Sequence, residues 1–315
     1  MRAWWPFSIG SALALFAAWL ACRWVPNDYF FFAAYVVLQF VALASAWNIL
    51  GGYAGYVNFG ASAFFAAGAY TAVALAQALD LPLLLQLAAA AAVAALLGFA
   101  AGALTLRLRG VYFSIATVAL AVICETIALN WQYVGGARGI AVAPLAVPAG
   151  FSSHTRWLFL VMAAIAVLAI AAGRYVENSR LGRGLRGLRD DEFAAESIAV
   201  PTLRLKLIAS TLSGGLMGLA GAPFAHYAGF VEPSLVFSLT ISVSALAMPI
   251  IGGLGRWQGP VIGALLLASV QQAVTVTISS ELNVLILGAV LVLFVIAAPQ
   301  GLLGLWRRRA GNGTT

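Results

Sequence analysis

The sequence predicts an all-α, polytopic membrane protein with about ten transmembrane or re-entrant helices and both termini in the cytoplasm. Composition is the first reason: 63% of the 315 residues are hydrophobic, 9% are charged, and the mean hydropathy is +0.98. Soluble domains carry about 25% charged residues, so this chain has too little polar surface to fold in water. The second reason is a series of long apolar segments without the strict period-two alternation of a membrane β-barrel. We interpret residues 1–315 as a single transmembrane domain.

Ten apolar segments account for most of the chain. Most of them are close to the roughly 20 residues that an α-helix needs to cross a bilayer. The sixth, eighth and tenth are shorter, which is typical of tilted or re-entrant segments. The segments are Ala3–Cys22, Tyr29–Leu50, Gly60–Leu79, Leu83–Thr105, Val111–Asn130, Trp157–Gly173, Leu205–Val231, Leu235–Ile251, Pro260–Ile278 and Leu282–Ala298.

The basic residues predict the orientation, because the cytoplasmic loops of membrane proteins are enriched in Lys and Arg. If the chain starts in the cytoplasm and all ten segments cross, 14 of the 17 basic residues lie on the cytoplasmic side. The three that lie outside are Arg23, Arg138 and Arg156. This split favours an even number of crossings, with both ends inside.

Several function classes find no support in the composition. The two cysteines, Cys22 and Cys124, lie in or beside apolar segments and predict neither a disulfide framework nor a metal site. Asp, Glu and His do not cluster at metal-ligand spacing, so we expect no metal and no cofactor. The net charge of +7 follows membrane topology, and the apolar segments leave little room for a polar module that could bind nucleic acid.

Two glycine-rich elements interrupt the apolar segments. The first, at 51–60, reads GGYAGYVNFG, and the second, at 252–260, reads GGLGRWQGP. Each glycine weakens a helix by up to about 1 kcal/mol relative to alanine. The first element is either a broken or re-entrant helix that lines a pathway, with Asn48 and Asn58 as its polar groups, or a plain tight turn. Glycines four apart elsewhere in the sequence predict close packing between helices.

Two ionisable residues lie inside the predicted spans. Glu125 is the only acid well inside a span, where a lone carboxylate is costly unless it is protonated, paired or hydrated. It is either a pathway residue or proton-linked site, or a structural carboxyl that is hydrogen-bonded to a neighbouring helix or hydrated near the outer interface. His226, near the outer end of the seventh segment, is either a proton-linked group or a hydrogen-bonded packing residue.

An island of charge at 174–206 separates the sixth and seventh segments. It holds seven basic and five acidic residues and lies on the predicted cytoplasmic side. Arginines spaced by three, from Arg180 to Arg189, predict a basic stripe that can meet anionic lipid headgroups. The stretch from Asp190 to Ala199 predicts a short helix, with acids at its start, small residues for close docking and a proline behind it. Such a helix suits insertion into a soluble partner.

The residues around this predicted helix, GRGLRGLRDDEFAAE at 182–196, resemble the cytoplasmic coupling loop of LivM-type permeases of branched-chain amino acid ABC importers. Further similar blocks follow the family order, and the set spans roughly residues 45 to 265. Together these blocks are specific for the family. They are WNILGGYAG at 47–55, FGASAFFAAGAYT at 59–71, LRLRGVYFSIAT at 106–117, GGARGI at 135–140, IGGLG at 251–255 and Gly259-Pro260.

The resemblance implies a permease subunit of an ATP-driven importer of branched-chain or related amino acids, in the bacterial inner membrane. The implied partners are two cytoplasmic ATP-binding subunits, a second, LivH-type permease, a periplasmic substrate-binding protein and the lipid bilayer. Residues 174–206 would form the cytoplasmic coupling loop. The residues implied in coupling to the ATPase are Arg189, Asp190, Asp191, Glu192, Phe193, Ala194, Ala195 and Glu196.

The sequence agrees with this division of labour. It contains no G-x-x-x-x-G-K-[ST] motif, and its only lysine is Lys206, so ATP hydrolysis is expected in partner subunits and this chain is not expected to be an enzyme. Many relatives have glycine where this chain has Ala199, and Ser or another small polar residue where it has Asn58. Two alternatives remain: a self-sufficient, proton-linked secondary transporter of a small polar solute that uses Glu125 or His226, and a membrane-embedded structural subunit.

Overall fold

The computed structural model describes residues 4–79, 81–105, 107–108, 110–145, 147–148, 151, 153–277, 288–289, 292 and 301–304. Helices dominate these residues, together with two 3-10 turns, Gln132–Val134 and Gly136–Arg138, and the strand pair β1 (Ile140–Ala141) and β2 (Phe230–Val231). The helices are α1 Trp5–Trp24, α2 Asp28–Ala54, α3 Ala61–Leu79, α4 Leu83–Thr105, α5 Val111–Asn130, α6 His154–Asn178, α7 Arg180–Asp190, α8 Glu192–Ser197, α9 Thr202–Ala228, α10 Pro233–Val236, α11 Leu239–Gly252 and α12 Gln258–Thr277.

Eight helical stretches within the described residues are long and apolar enough to cross a membrane. They correspond in order to the first eight predicted segments, with α10 and α11 forming the eighth, and α12 coincides with the ninth. The tenth, Leu282–Ala298, lies outside the described residues apart from three positions. These helices confirm the predicted all-α membrane fold, while the cytoplasmic location of the termini stays a prediction.

The sixth span is longer than its apolar pattern predicted. Helix α6 covers His154–Asn178 rather than 157–173, because it continues past the apolar stretch to Arg174 and Glu177. The guanidinium of Arg174 is accommodated among three aromatic rings, at 4.6 to 5.5 Å from their centroids. These rings belong to Trp4, Phe7 and Trp257. A span predicted from hydropathy ends at the first charged residue. The helix itself continues past Arg174, because the folded protein surrounds that charge.

Glycines bring α3, α4 and α9 into close contact. The Oγ of Ser210 in α9 donates a hydrogen bond to Gly98 O in α4 at 2.8 Å. A Cβ added to Gly98 would overlap the Ser210 carbonyl, and one added to Gly68 in α3 would overlap the carbonyl of Gly218. Gly218 also packs against Ala94. The glycines spaced by four therefore serve packing between helices of this chain, as the sequence predicted.

The contacts between helices define two ends of the bundle. At one end Arg156 pairs with Asp28 at 2.8 Å, and β1 pairs with β2. The charged island, both glycine-rich elements and Trp4 at the start of α1 lie at the other end, which we call the island end. Gly301 packs against Gly253, so this part of the C-terminal region also lies at the island end. Under the predicted orientation, the island end faces the cytoplasm.

Candidate functional site

Helix α7 lies along the island end as an amphipathic helix. The side chains of Leu185 and Leu188 are buried against the bundle, whereas Arg180 and Arg183 are exposed. The apolar face fixes the helix on the protein, and the basic side stays in contact with water or headgroups. Part of the predicted basic stripe is therefore available to anionic lipid.

A sharp break separates α7 from α8. Asp191 between them is extended, with φ −157°, and its Oδ1 accepts a hydrogen bond from Ala194 N at 3.0 Å as an N-cap. Beyond the other end, Ala199 is left-handed, with φ 59°, the only non-glycine residue with positive φ in the part of the chain that the structure describes. Helix α8 is therefore Glu192–Ser197, shorter than the predicted 190–199, because a side-chain cap and a left-handed turn end it.

Helix α8 has two different faces. The Glu192 side chain is 13% exposed and Ala195 is buried, so both face the protein. Phe193 and Ile198 face outward and are 69% and 77% exposed. The other predicted coupling residues are exposed, and they are Arg189, Asp190, Asp191, Ala194 and Glu196. One short helix thus joins an internal polar contact to an external surface with two large apolar side chains.

Glu192 belongs to a cluster that we call the buried triad: Tyr56, Glu192 and Lys206. Lys206 Nζ lies 2.7 Å from Glu192 Oε1 and donates to Tyr56 Oη at 2.9 Å, while Tyr56 Oη donates to Glu192 Oε2 at 2.7 Å. The Lys206 side chain is 4% exposed. Each member therefore contacts the other two, and the triad joins α8, the first turns of α9 and the chain that follows α2.

That chain, segment 55–60, is not helical. It runs back beside roughly the last two turns of α2 and the first two turns of α5, as its hydrogen bonds show. Trp47 Nε1 donates to Asn58 O at 2.7 Å, Ser114 Oγ donates to Val57 O at 2.9 Å, and Phe59 N donates to Thr117 Oγ1 at 3.1 Å. Side chains of neighbouring helices thus satisfy the exposed backbone groups, which is the condition for irregular backbone at membrane depth. The segment is more than a plain tight turn.

The second glycine-rich element lies beside the first. Asn48 in α2 donates from Nδ2 to Arg256 O at 3.1 Å and accepts at Oδ1 from Gly255 N at 3.3 Å. Arg189 Nη1 donates to Gly52 O at 2.7 Å, and a Cβ added at Gly55 or Gly255 would meet the Arg189 side chain at about 3.0 Å. Arg189 therefore covers both elements from the end of α7.

The residues predicted for a pathway are not brought together. Asn48 and Asn58 are both buried near the island end, and each is bonded to nearby backbone: Asn58 Oδ1 accepts from Gly60 N at 2.7 Å. Glu125 is half-buried in α5, about 12 Å along the axis from Thr117, and has no hydrogen-bond or ion-pair partner among the described residues. The alternatives for Glu125 stay open.

His226 is hydrogen-bonded inside the bundle. Its Nε2 lies 2.7 Å from Gln86 Oε1 in α4, and Gln86 Nε2 donates to Leu81 O at 2.7 Å. Both side chains are buried. This geometry supports the packing interpretation of His226, because Gln86 links it to the end of the α3–α4 connection.

The sequence placed Glu177 and Lys206 in the charged island but assigned neither of them a contact, and it did not single out Tyr56. Glu177 Oε2 accepts a hydrogen bond from Trp257 N at 2.8 Å and so holds the second glycine-rich element. Lys206 did carry a signal, because a single lysine among leucines at the start of a span needs an acidic partner. Tyr56 carried none, since tyrosines are common beside glycine turns at membrane interfaces.

Comparison with known proteins places the chain in a family. Residues 29–295 match the family model described as branched-chain amino acid transport system / permease component. The chain is 31% identical over 299 residues to the high-affinity branched-chain amino acid transport system permease protein LivM of Salmonella typhimurium, covering 87% of this chain and 70% of LivM.

Two further relatives are similar over shorter stretches. The LivH permease protein of the same transport system in Escherichia coli is 25% identical over 140 residues, 44% of each chain. The autoinducer 2 import system permease protein LsrC of Salmonella paratyphi B is 30% identical over 126 residues, 38% of this chain and 36% of LsrC. Together with the family match over most of its length, these similarities show that the chain belongs to the permease components of branched-chain amino acid transport systems.

Proposed function

We propose that this chain is the membrane-spanning permease subunit of an ATP-driven importer and that α8 is its docking point for an ATP-binding subunit. The observation that carries the proposal is the two-faced geometry of α8. Its outer face presents Phe193, with Ile198 directly after its last residue, two large apolar side chains that a partner would cover, and its inner face is bonded into the bundle through Glu192. Force applied to the outside of α8 therefore has a route into the membrane helices.

The proposed partners follow from the family. They are two cytoplasmic ATP-binding subunits, a second, LivH-type permease and a periplasmic substrate-binding protein, in the bacterial inner membrane with the island end in the cytoplasm. Residues 174–206 form the coupling loop. ATP hydrolysis belongs to the partners, since this sequence has no phosphate-binding loop motif. The proposed substrates are branched-chain or related amino acids, supported by the branched-chain amino acid transport system to which LivM and LivH belong.

Asn58 is the candidate pathway residue that the geometry favours over Asn48. Asn58 lies in segment 55–60, where the backbone leaves the helix, and among the described residues its side-chain oxygen bonds within the segment, to Gly60 N. Both polar atoms of the Asn48 amide are used to hold the loop between α11 and α12. We assign Asn48 a positioning role there. Glu125 remains a third candidate, at the other half of α5.

A charged substitution on the outer face of α8 tests the docking proposal. We expect Phe193→Asp to lower co-purification of the ATP-binding subunits and amino acid uptake by about tenfold or more, the size of an interface hot spot. Gly187→Asp, at an exposed position of α7 where a Cβ meets nothing within 4 Å, adds the same charge to the island and should retain both activities. Wild-type association and uptake in Phe193→Asp would contradict the docking assignment.

A further inference from the structure

We propose that the buried triad of Tyr56, Glu192 and Lys206 is the link that transmits displacement of α8 to segment 55–60, which makes this segment a moving part of the transport cycle. The inference rests on the proposed function, because it requires a partner that displaces α8. It goes further by naming the residues that receive the motion and the stretch of backbone that moves.

The triad is the direct side-chain connection between α8 and the backbone that leaves α2. Glu192 uses one carboxylate oxygen for Lys206 and the other for the hydroxyl of Tyr56, at 2.7 Å each. The Lys206 ammonium also donates to that hydroxyl at 2.9 Å. A shift of α8 thus pulls on both oxygens of Glu192, and Tyr56 must follow or lose its hydrogen bonds to two charged groups.

Burial makes this connection stiff. The side chains of Lys206 and Glu192 are almost shielded from water, so separation of the pair would leave charges in a poorly hydrated site. The Tyr56 ring packs edge-to-face on Phe113 of α5 with centroids 5.0 Å apart. A displacement of Tyr56 would therefore act on α5, through Phe113, as well as on segment 55–60.

On the side that faces α2 and α5, segment 55–60 is held by weaker hydrogen bonds than those of the buried triad. Ser114, Thr117 and Trp47 contact it through neutral hydrogen bonds. Hydrogen bonds with an ionised partner are roughly twice as strong as neutral ones. Hydroxyl donors can also rotate to new acceptors. When α8 moves, the segment is thus expected to follow α8 and α9 and to slide along α5, which displaces Asn58.

A purely structural triad would stabilise the protein without changing the efficiency of coupling. A structural role and a role in transmitting motion can be distinguished by the amount of amino acid transported per ATP hydrolysed. This ratio is measured with the full complex reconstituted in liposomes. Tyr56→Phe removes the hydroxyl and keeps both the ring contact and the ion pair. Glu192→Gln keeps the shape of the side chain and removes its charge.

We expect both variants to assemble with the ATP-binding subunits and to hydrolyse ATP, while transport per ATP falls by about tenfold, the factor for loss of a hydrogen bond to a charged group. Tyr53→Phe is the matched control: it removes a buried hydroxyl at the same end of α2, one that donates to Gly173 O at 3.0 Å and lies 3.5 Å from the Glu177 carboxylate, both in α6 rather than in α8. It should keep the wild-type ratio. The double variant Glu192→Lys with Lys206→Glu restores an ion pair and should recover part of the ratio that Glu192→Gln loses.

The outcomes distinguish this inference from the proposed function. If the wild-type chain binds no ATP-binding subunit, the proposed function fails, and the inference fails with it. If the wild-type complex transports and Tyr56→Phe does so with an unchanged ratio, the transmission role is overturned while the proposed function stands. Should Glu192→Gln not assemble, Tyr56→Phe decides alone, because its ion pair is intact.

Discussion

The two glycine-rich elements have similar sequences but are held in different ways. In the first, Gly51 packs on the Trp47 ring and Gly52 on the Asn48 side chain, and six non-helical residues follow before α3. In the second, Gly252 at the end of α11 packs directly on the backbone of Gly259 in the first turn of α12. The glycines of the first element meet mostly side chains, although Gly60 also approaches the Thr117 carbonyl in α5. The glycines of the second element meet mostly backbone, although the side chains of Asn48 and Glu177 also hold its loop.

This difference indicates which element can move. Hydrogen bonds from side chains can break and form again with a different partner, which would let segment 55–60 shift without leaving its backbone groups unpaired. Two backbones in van der Waals contact have no such freedom, because any tilt overlaps atoms or opens a gap. We infer that the second element is the fixed support at the island end and the first is the mobile one. Two sets of substitutions test this contrast, and a third tests the turn that ends α8.

The largest effect is expected for Gly252→Ala. The added Cβ would overlap the backbone of Gly259 and Gly263 and force α11 and α12 apart, which should lower the free energy of unfolding by about 3 kcal/mol. Gly187→Ala in α7 is the control, since its Cβ meets nothing within 4 Å and should stabilise the helix slightly. Thermal unfolding of both purified variants in detergent measures the difference. Equal melting temperatures would argue against a rigid second element.

A matched pair of asparagine substitutions should give an intermediate effect. Asn48→Ser removes the amide that reaches both Gly255 N and Arg256 O, and should cost about 2 kcal/mol because buried partners lose their hydrogen bonds. Asn58→Ser leaves a hydroxyl that can still accept from Gly60 N, two residues on, so its cost should be much smaller. Melting temperatures of the two variants give the comparison. A larger loss of melting temperature in Asn58→Ser than in Asn48→Ser would mean that segment 55–60 is the more rigid element.

The smallest effect is expected at the turn after α8. Ala199 has a left-handed backbone, which costs alanine about 1 kcal/mol more than glycine, so Ala199→Gly should raise stability by about that amount. Ala194→Gly, inside α8, should lower it. Amide hydrogen exchange of α8 would detect both changes. Faster exchange in Ala199→Gly would show that the left-handed turn is not a strain on this helix.

The sequence was sufficient to predict most of the fold. Its apolar segments predicted the first nine helical regions in order, because length and hydropathy decide membrane spans. They placed the end of α6 too early, since Arg174 lies among aromatic rings that only the folded chain brings together. The residues of α8 were predicted, but its bounds depend on the Asp191 cap and the Ala199 turn.

The direction in which α8 residues point could not be predicted. The family resemblance implied that Glu192 and Ala195 take part in docking, yet both side chains face the bundle and Phe193 faces out. Six residues are too few for an apolar period to define a face. The partner of Glu192 comes from α9, fourteen positions along the chain, and Tyr56 from a turn more than a hundred residues earlier, so only the tertiary fold reveals the triad.

Lys206 is the only lysine in the sequence, and its ammonium is held by Glu192 and Tyr56. A protonated, shielded amine does not react with acylating reagents, whereas a deprotonated, accessible one does. Acylation of this one lysine therefore reports whether the Lys206 amine is held by Glu192 and Tyr56 or has been uncovered. Acylation of the Lys206 peptide, followed by mass spectrometry with and without nucleotide, would record the fraction of molecules in which this amine has been uncovered, without any label introduced by mutation.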